Sequence, residues 1–204
     1  MSRSGFTLIE ILVAIAIMTI IMGVVVFDHQ KFSDQLRITN LAYQIALSVR
    51  EAQAYGINVR GDVTTGGNQF NVGYGVHFST EENTSYTTFI DRGDPDDTSS
   101  IGNSQYDIDE KITTYILERG NTISDICSKI ISGTGSSIST EVNCEAQTID
   151  ITFQRPNPDA RFVVFPDTVI PAQEVTIKVT NRDGDICKSI SVNTNGQISI
   201  GECS

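Results

Sequence analysis

The sequence predicts an α+β protein in which one long N-terminal helix packs on a C-terminal domain of antiparallel strands. Two patterns carry this prediction. Residues 6–27 form an apolar run of 22 residues, and apolar residues then recur at helical spacing as far as about Tyr55. From residue 61 onward, apolar residues instead alternate with polar ones, which is typical of half-buried strands.

The apolar run predicts a helix that crosses a membrane once. At about 1.5 Å per residue, 22 residues span roughly 33 Å, the thickness of a hydrocarbon core. A secretory signal peptide would have a small-residue cleavage site after such a run, but here Asp28 and Lys31 follow. The flanks therefore indicate an anchor over residues 6–27 with Arg3 on the cytoplasmic side.

The helix is expected to continue as an amphipathic segment over residues 28–56. Apolar side chains recur there at spacings of three and four residues, and polar side chains lie beside them. The apolar stripe consists of Ile38, Leu41, Ile45, Val49 and Ala52. Such a stripe predicts a face that packs on a folded core, and Gly56 is the expected end of the helix.

Residues 57–204 predict a β-rich globular domain. Strand-like runs follow one another closely, with turn sequences at 181–185 and 195–196 and a Ser/Gly-rich loop at 132–140. The predicted strands are residues 70–78, 86–90, 111–117, 148–153, 161–165, 174–180, 188–192 and 197–200. Short strands at this spacing favour antiparallel sheets packed on the helix.

The charge of the domain argues against nucleic acid as a partner. Residues 61–204 carry 9 of the 14 basic residues and 21 of the 25 acidic ones, a balance of −12. A surface of this sign repels phosphates, so nonspecific nucleic-acid binding is not expected.

The sequence also gives little basis for catalysis. The two histidines are His29, beside the apolar run, and His77, which alternates onto the polar side of its strand and is expected at the surface. Motifs of serine hydrolases, zinc proteases and P-loop enzymes are absent from the sequence. We therefore expect a protein that is not an enzyme.

One acid interrupts the apolar run. Glu10 lies about one turn into it, where an unpaired carboxylate surrounded by lipid costs several kcal/mol. An intramembrane acid is therefore a functional hypothesis, and the alternative is that Glu10 lies near the membrane interface and is solvated.

The residues around this acid resemble the class III signal of type IV pilins and pseudopilins. Gly5-Phe6-Thr7-Leu8-Ile9-Glu10 directly follows a short leader that contains Arg3. The resemblance implies that a prepilin peptidase removes leader residues 1–5 by cutting between Gly5 and Phe6, and that Phe6 is then N-methylated. It also implies that Glu10 serves peptidase recognition or assembly, in which it would pair with the Phe6 amine of a neighbouring subunit.

The order of the later elements is similar to the H-type minor pseudopilins of type II secretion and the related T-type minor pilins. The similarity is carried by residues 73–78, residues 89–91 and the hairpin at 190–198. It implies a pilin-like structural subunit, held in lipid and then assembled with other pilin or pseudopilin subunits through its helix by an inner-membrane platform. The protein would be a single-pass protein of the bacterial inner membrane, with its C-terminal domain periplasmic or extracellular.

Two alternative functions remain open at the level of sequence. A DNA-uptake minor pilin would need a local basic cluster of Lys178, Arg182 and Lys188 within an otherwise acidic domain. A surface or adhesin domain on a plain membrane anchor would lack processing at Gly5.

The four cysteines have no spacing typical of a zinc site or a thioredoxin-like site. Three pairings are open in principle. Short local loops favour Cys127–Cys144 and Cys187–Cys203, which would imply an oxidising compartment, and the alternative is four reduced cysteines.

An acidic segment offers candidate ligands for Ca²⁺, which takes six to eight oxygen ligands. The candidates are Asp91, Asp94, Asp96, Asp107 and Asp109. Their spacing does not fit an EF-hand, and the alternative is a solvated acidic loop. No other cofactor is expected.

Overall fold

The computed structural model describes residues 5–58, 72–92, 102–132, 139–157, 159–166 and 172–203, with backbone only for residues 25–31 and 132. One helix, α1, spans Leu8–Ile57. Ten strands follow in the described part of the chain: β1 Gly73–Ser79, β2 Ser85–Asp91, β3 Lys111–Ile116, β4 Thr122–Ser132, β5 Ser139–Asn143, β6 Thr148–Phe153, β7 Ala160–Phe165, β8 Glu174–Thr180, β9 Cys187–Asn193 and β10 Ile198–Glu202. The predicted α+β class is confirmed.

The chain divides into two compact units, Met1–Arg37 and Ile38–Ser204. Within the first unit, the large apolar side chains between Leu8 and Val24 are exposed. Hydrophobic burial in the described residues is therefore confined to the second unit, where the core cluster begins at Ile38.

The second unit contains two antiparallel five-stranded sheets. Their strand orders are β3-β2-β1-β6-β7 and β10-β9-β8-β4-β5. The helical residues from Ile38 onward contribute their apolar stripe to the same core as both sheets. The predicted stripe is confirmed, because all five of its residues are buried.

Polar and aromatic contacts tie the last turns of α1 to both sheets. The Ser48 hydroxyl lies 3.0 Å from the Tyr86 hydroxyl in β2, and both residues are buried. The Gln53 side-chain amide donates a hydrogen bond of 3.1 Å to the Gly196 carbonyl in the β9–β10 turn. Because the buried polar atoms in these two contacts have hydrogen-bond partners, the contacts offset the cost of removing those atoms from water.

The helix α1 ends one residue beyond the predicted end at Gly56. The helix continues to Ile57, and the Asn58 N–H still donates to the Ala54 carbonyl at 3.0 Å. A Cβ at Gly56 would overlap the Phe153 carbonyl oxygen and lie 2.7 Å from its carbon. The glycine is thus required by the close approach of β6 rather than by a helix cap.

Most predicted strands coincide with observed ones, and the two predicted turns form the β8–β9 and β9–β10 hairpins. Strands β4 and β5 were not predicted. A register shift between Ile123 and Asp125 breaks the two-residue alternation in β4. In β5, four of the five residues are exposed and Val142 is the one large apolar side chain, so the strand shows no alternation of buried and exposed residues. Predicted strand residues 70–71 and loop residues 133–138 lie outside the described residues.

Candidate processing and assembly site

The candidate cleavage bond lies in an accessible segment ahead of the helix. Gly5, Phe6 and Thr7 are not helical, and the Thr7 carbonyl accepts the first helical hydrogen bonds, from the Glu10 and Ile11 N–H groups at 3.1 and 3.3 Å. Phe6 is 79% exposed, and beyond its chain neighbours no atom of the described residues lies within 4 Å of a Cβ built on Gly5. The Gly5–Phe6 peptide bond is therefore free of the helical hydrogen bonds that a peptidase would have to break.

Glu10 lies in the first turn of α1, and its side chain is exposed. A carboxylate at this end of a helix interacts favourably with the unpaired N–H groups of the first turn. The exposed carboxylate is also accessible to a cation of another chain. The described geometry thus suits the pairing role that the resemblance implies for Glu10.

The helix that follows has an apolar surface on every side. Twelve large apolar side chains between residues 8 and 24 are 51–81% exposed: Leu8, Ile9, Ile11, Leu12, Val13, Ile15, Ile17, Met18, Ile20, Ile21, Met22 and Val24. At about 100° per residue, these positions cover the whole circumference of the helix. Such a surface is stable only when lipid or other apolar helices cover it.

Within the described residues, no helical stretch combines the length and the apolar character needed to cross a membrane. The predicted span over residues 6–27 includes residues 25–27, whose side chains lie outside the described set.

Residues 1–26 match the prokaryotic N-terminal methylation motif. Among curated proteins and solved structures, comparison found no match to the chain. The motif match covers the leader and most of the apolar run. It supports a type IV pilin-like class III signal, with processing by a prepilin peptidase and assembly with other pilin subunits.

Both favoured disulfides are present. Cys127 pairs with Cys144 and Cys187 with Cys203, with Cα–Cα distances of 3.9 and 5.6 Å. The alternative of four reduced cysteines is therefore wrong. The first bridge ties β4 to the segment after β5, and the second ties the start of β9 to the segment after β10.

The five candidate calcium ligands do not form a metal centre in the described part of the chain. No group of three or more His, Cys, Asp or Glu side chains is placed there to hold a metal ion. Asp94 and Asp96 lie outside the described residues. The Asp109 carbonyl accepts a hydrogen bond from the Arg92 guanidinium, and the Asn103 amide donates to the Asp107 carboxylate. A calcium site therefore stays a prediction.

Asp91 is enclosed by the fold. It is 1% exposed, and both carboxylate oxygens accept the Ser104 N–H, at 3.2 and 3.1 Å. A Cβ on Gly102 would overlap this carboxylate, and one on Gly73 would lie 3.0 Å from Oδ2. The two glycines therefore leave the space that the carboxylate occupies, and burial raises its pKa to about 6.

A second buried acid, Glu110, was not predicted from the sequence. Its carboxylate accepts the N–H groups of Arg92, at 2.7 Å, and Asp107, at 3.3 Å, and so joins the end of β2 to the segment before β3. Burial raises its pKa to about 7. Glu110 lies directly before a strand, and no local sequence pattern distinguishes it from an acid at the surface.

The expectation that His77 is a surface residue was wrong. Its side chain is half-buried, and Nδ1 lies 2.6 Å from the Asp150 Oδ1 atom. The Tyr106 ring lies 4.8 Å from the imidazole, and the Tyr106 N–H donates to Asp150 Oδ2 at 3.2 Å. The segment that contains Tyr106 thus covers the polar side of β1, which alternation within the strand cannot reveal.

The basic cluster required for DNA uptake does not form on one face. Lys178 pairs with Ser189 and Val179 with Lys188, so the two lysines lie on opposite faces of the sheet. Lys188 forms an ion pair with Glu202, and Arg182 lies against Gly120. This arrangement does not favour a phosphate-binding surface at these residues.

The raised carboxyl pKa values predict a pH-dependent stability. The folded-state values, about 6 for Asp91 and about 7 for Glu110, lie above the ordinary values of 3.8 and 4.5. At these two carboxyl groups the folded state therefore binds protons more tightly than the unfolded state does. Their protonation stabilises the folded state at low pH, and this contribution is lost as the pH rises through 6 to 7. Glu110→Gln should flatten the fall of Tm between about pH 4.5 and 7.5.

Thermal unfolding of the full chain in a chelating buffer measures this effect. The matched control is Glu118→Gln, since Glu118 is exposed and removal of its charge leaves the buried acids in place. A Glu110→Gln profile parallel to that of the wild type would contradict the prediction.

Proposed function

We propose that this protein is a structural subunit, not an enzyme, of a type IV pilus or a type II secretion pseudopilus, most similar to a minor pseudopilin or minor pilin. A prepilin peptidase removes residues 1–5, and Phe6 becomes the methylated N-terminus. The observation that carries the proposal is the apolar circumference of residues 8–24, directly after an exposed cleavage segment that matches the methylation motif. Before assembly lipid covers this surface, and in the filament neighbouring helices cover it.

The position of Glu10 supports a role in assembly. Within one chain, Glu10 is four residues from Phe6, on an exposed first turn. In our proposal the Glu10 carboxylate forms an ion pair with the positively charged Phe6 amine of the next subunit. Pairing offsets much of the cost of burying either charge alone, and it sets the axial register of adjacent helices.

The proposed location is the bacterial inner membrane, crossed once, with the C-terminal domain in the periplasm or outside the cell. Two disulfides support an oxidising compartment for that domain. The acidic charge of the domain supports protein partners rather than nucleic acid.

The test of processing is intact mass and N-terminal analysis after co-expression with a prepilin peptidase. The wild type should begin at methylated Phe6, and Gly5→Val should keep its leader. No described atom lies near Gly5 or Gly23, so Gly23→Val is a matched control that should be cleaved normally. A wild-type chain that keeps residues 1–5 would overturn the proposal.

Glu10→Gln tests assembly separately from cleavage, because it removes the charge and keeps the size of the side chain. We expect cleaved Glu10→Gln to enter filaments less than a tenth as well as wild type, since one buried partner of the pair would remain uncompensated. Equal incorporation of the two mature forms would contradict the pairing role of Glu10.

A further inference from the structure

The connection between β1 and β2 contains an acceptor motif for N-linked glycosylation. Asn83-Thr84-Ser85 consists of an asparagine, a residue other than proline and a hydroxyl residue, and it is the one triplet of this kind in the sequence. In an exported protein such a triplet marks a surface segment to which an oligosaccharide is attached. Triplets of this kind also arise by chance, so the accessibility of the asparagine decides whether this one suits an acceptor.

The backbone of this turn is fixed by hydrogen bonds in which the Asn83 side chain takes no part. The Ser79 hydroxyl accepts the N–H groups of Glu81 and Glu82, at 3.1 and 3.2 Å. The Asn83 carbonyl accepts the N–H of Ile123 at 2.8 Å. The turn is therefore held in place through its backbone, and the asparagine side chain is not needed to form it.

The Asn83 side-chain amide is in contact with solvent. Within the described residues no hydrogen bond holds it, and Thr152 is the one residue there with a buried polar side-chain atom that lacks a partner. Other asparagines of the chain use their side chains in local hydrogen bonds, namely Asn58, Asn103, Asn143, Asn181 and Asn195. A structural task of the kind those five side chains have does not account for Asn83.

The surroundings of Asn83 leave space for an attached sugar. Glu81, Glu82 and Thr84 are exposed, and Asn83 and Ser85 are partly exposed. A sugar on Nδ2 of Asn83 would thus extend into water and would displace no core side chain. The two exposed carboxylates ahead of the asparagine also offer a transferase with a basic groove a second point of contact.

We propose that Asn83 is an N-glycosylation site whose donor is an oligosaccharide linked through pyrophosphate to a membrane lipid. In the transfer, Nδ2 of Asn83 bonds to the anomeric carbon of the first sugar, and the bond from that carbon to the pyrophosphate oxygen breaks. The lipid pyrophosphate leaves with the electron pair, and the amide nitrogen releases one proton. The Ser85 hydroxyl is the group by which the transferase recognises the triplet.

The inference rests on one part of the proposed function, which is the export of the C-terminal domain. The two disulfides support that location, because they form in an oxidising compartment. Cleavage after Gly5 and entry into a filament are not required for modification of Asn83. The two proposals can therefore fail separately.

Mass analysis of the full chain tests the proposal. The chain is isolated from bacterial cells that also carry a prepilin peptidase, an oligosaccharyltransferase and its lipid-linked oligosaccharide. The wild type should gain the mass of one oligosaccharide, and peptide fragmentation should place it on Asn83. Asn83→Gln and Ser85→Ala should each lose the modification, whereas Ser85→Thr should keep it because threonine restores the hydroxyl.

Asn121→Gln is the matched control. Asn121 is also partly exposed in a connection between strands, but Ile123 stands where the triplet needs a hydroxyl residue. This variant should carry the oligosaccharide as the wild type does. A modification that remains in Asn83→Gln or Ser85→Ala would overturn the proposal.

An unmodified wild type with both disulfides formed, in cells whose transferase modifies a reference acceptor, would also overturn it. The same mass reports on the leader. A glycosylated chain that keeps residues 1–5 would support modification of Asn83 and overturn the proposed filament role. A chain that begins at methylated Phe6, contains both disulfides and lacks the oligosaccharide would do the reverse.

Discussion

Removing the Cys127–Cys144 bridge is expected to lower the free energy of unfolding by about 3 kcal/mol. The bridge joins residues separated by 17 positions, and a closed loop of this size restricts the unfolded chain by about that amount in the loop-entropy model. Cys127 is 4% exposed, so alanine there also leaves a small unfilled space. The edge strand β5, which pairs with β4 alone, should be the first element to separate.

Urea unfolding of Cys127→Ala/Cys144→Ala against wild type in oxidising buffer measures this loss. Hydrogen exchange at residues 139–143 reports on β5 directly. Added reductant should lower the stability of the wild type further than that of the variant, because reduction breaks two bridges in the wild type and one in the variant. Equal stability of the two proteins under oxidising conditions would show that the bridge contributes nothing.

Replacing Gly56 with alanine is expected to destabilise the domain by about 2 kcal/mol. Within a helix the same change ordinarily stabilises by about 1 kcal/mol, because alanine restricts the unfolded chain. Here the added methyl would meet the Phe153 carbonyl, a backbone group held by the pairing of β6 with β1 and β7. Overpacking against backbone moves the helix or the strand, and that cost exceeds the propensity gain.

Gly23→Ala is the control for this prediction. Gly23 lies in the same helix, and no described atom outside the helix's own backbone lies within 4 Å of a Cβ at this position. It should therefore be neutral or slightly stabilising in the same thermal and chemical unfolding measurements. A stabilised Gly56→Ala variant would show that β6 and the helix separate at little cost.

The N-terminal signal and the helical pattern could be predicted because their information is local. Residues 1–26 match the methylation motif, and the buried stripe from Ile38 to Ala52 has the period of a helix. The favoured disulfides also followed from proximity along the chain. For a short loop, closure entropy alone makes neighbouring cysteines the favoured partners.

Two strands, β4 and β5, were not predicted because their own side chains give no clear strand pattern. The bulge in β4 breaks the pattern of its apolar residues, and four of the five residues of β5 are exposed. Their place in a sheet is set by the strands beside them, since hydrogen bonding to a neighbour can form a strand that its own side chains do not specify.

The sequence by itself determined the class of the fold, the methylation-motif segment, the apolar helix and the acidic character of the domain. Only the tertiary structure decided why Gly56 is glycine, why Asp91 is buried and why His77 is covered. Each of these depends on atoms far apart in the chain, as does the contact of Gln53 with Gly196, separated by 143 residues. Periodicity records which side of an element is buried, but it carries no information about which distant backbone comes to lie against it.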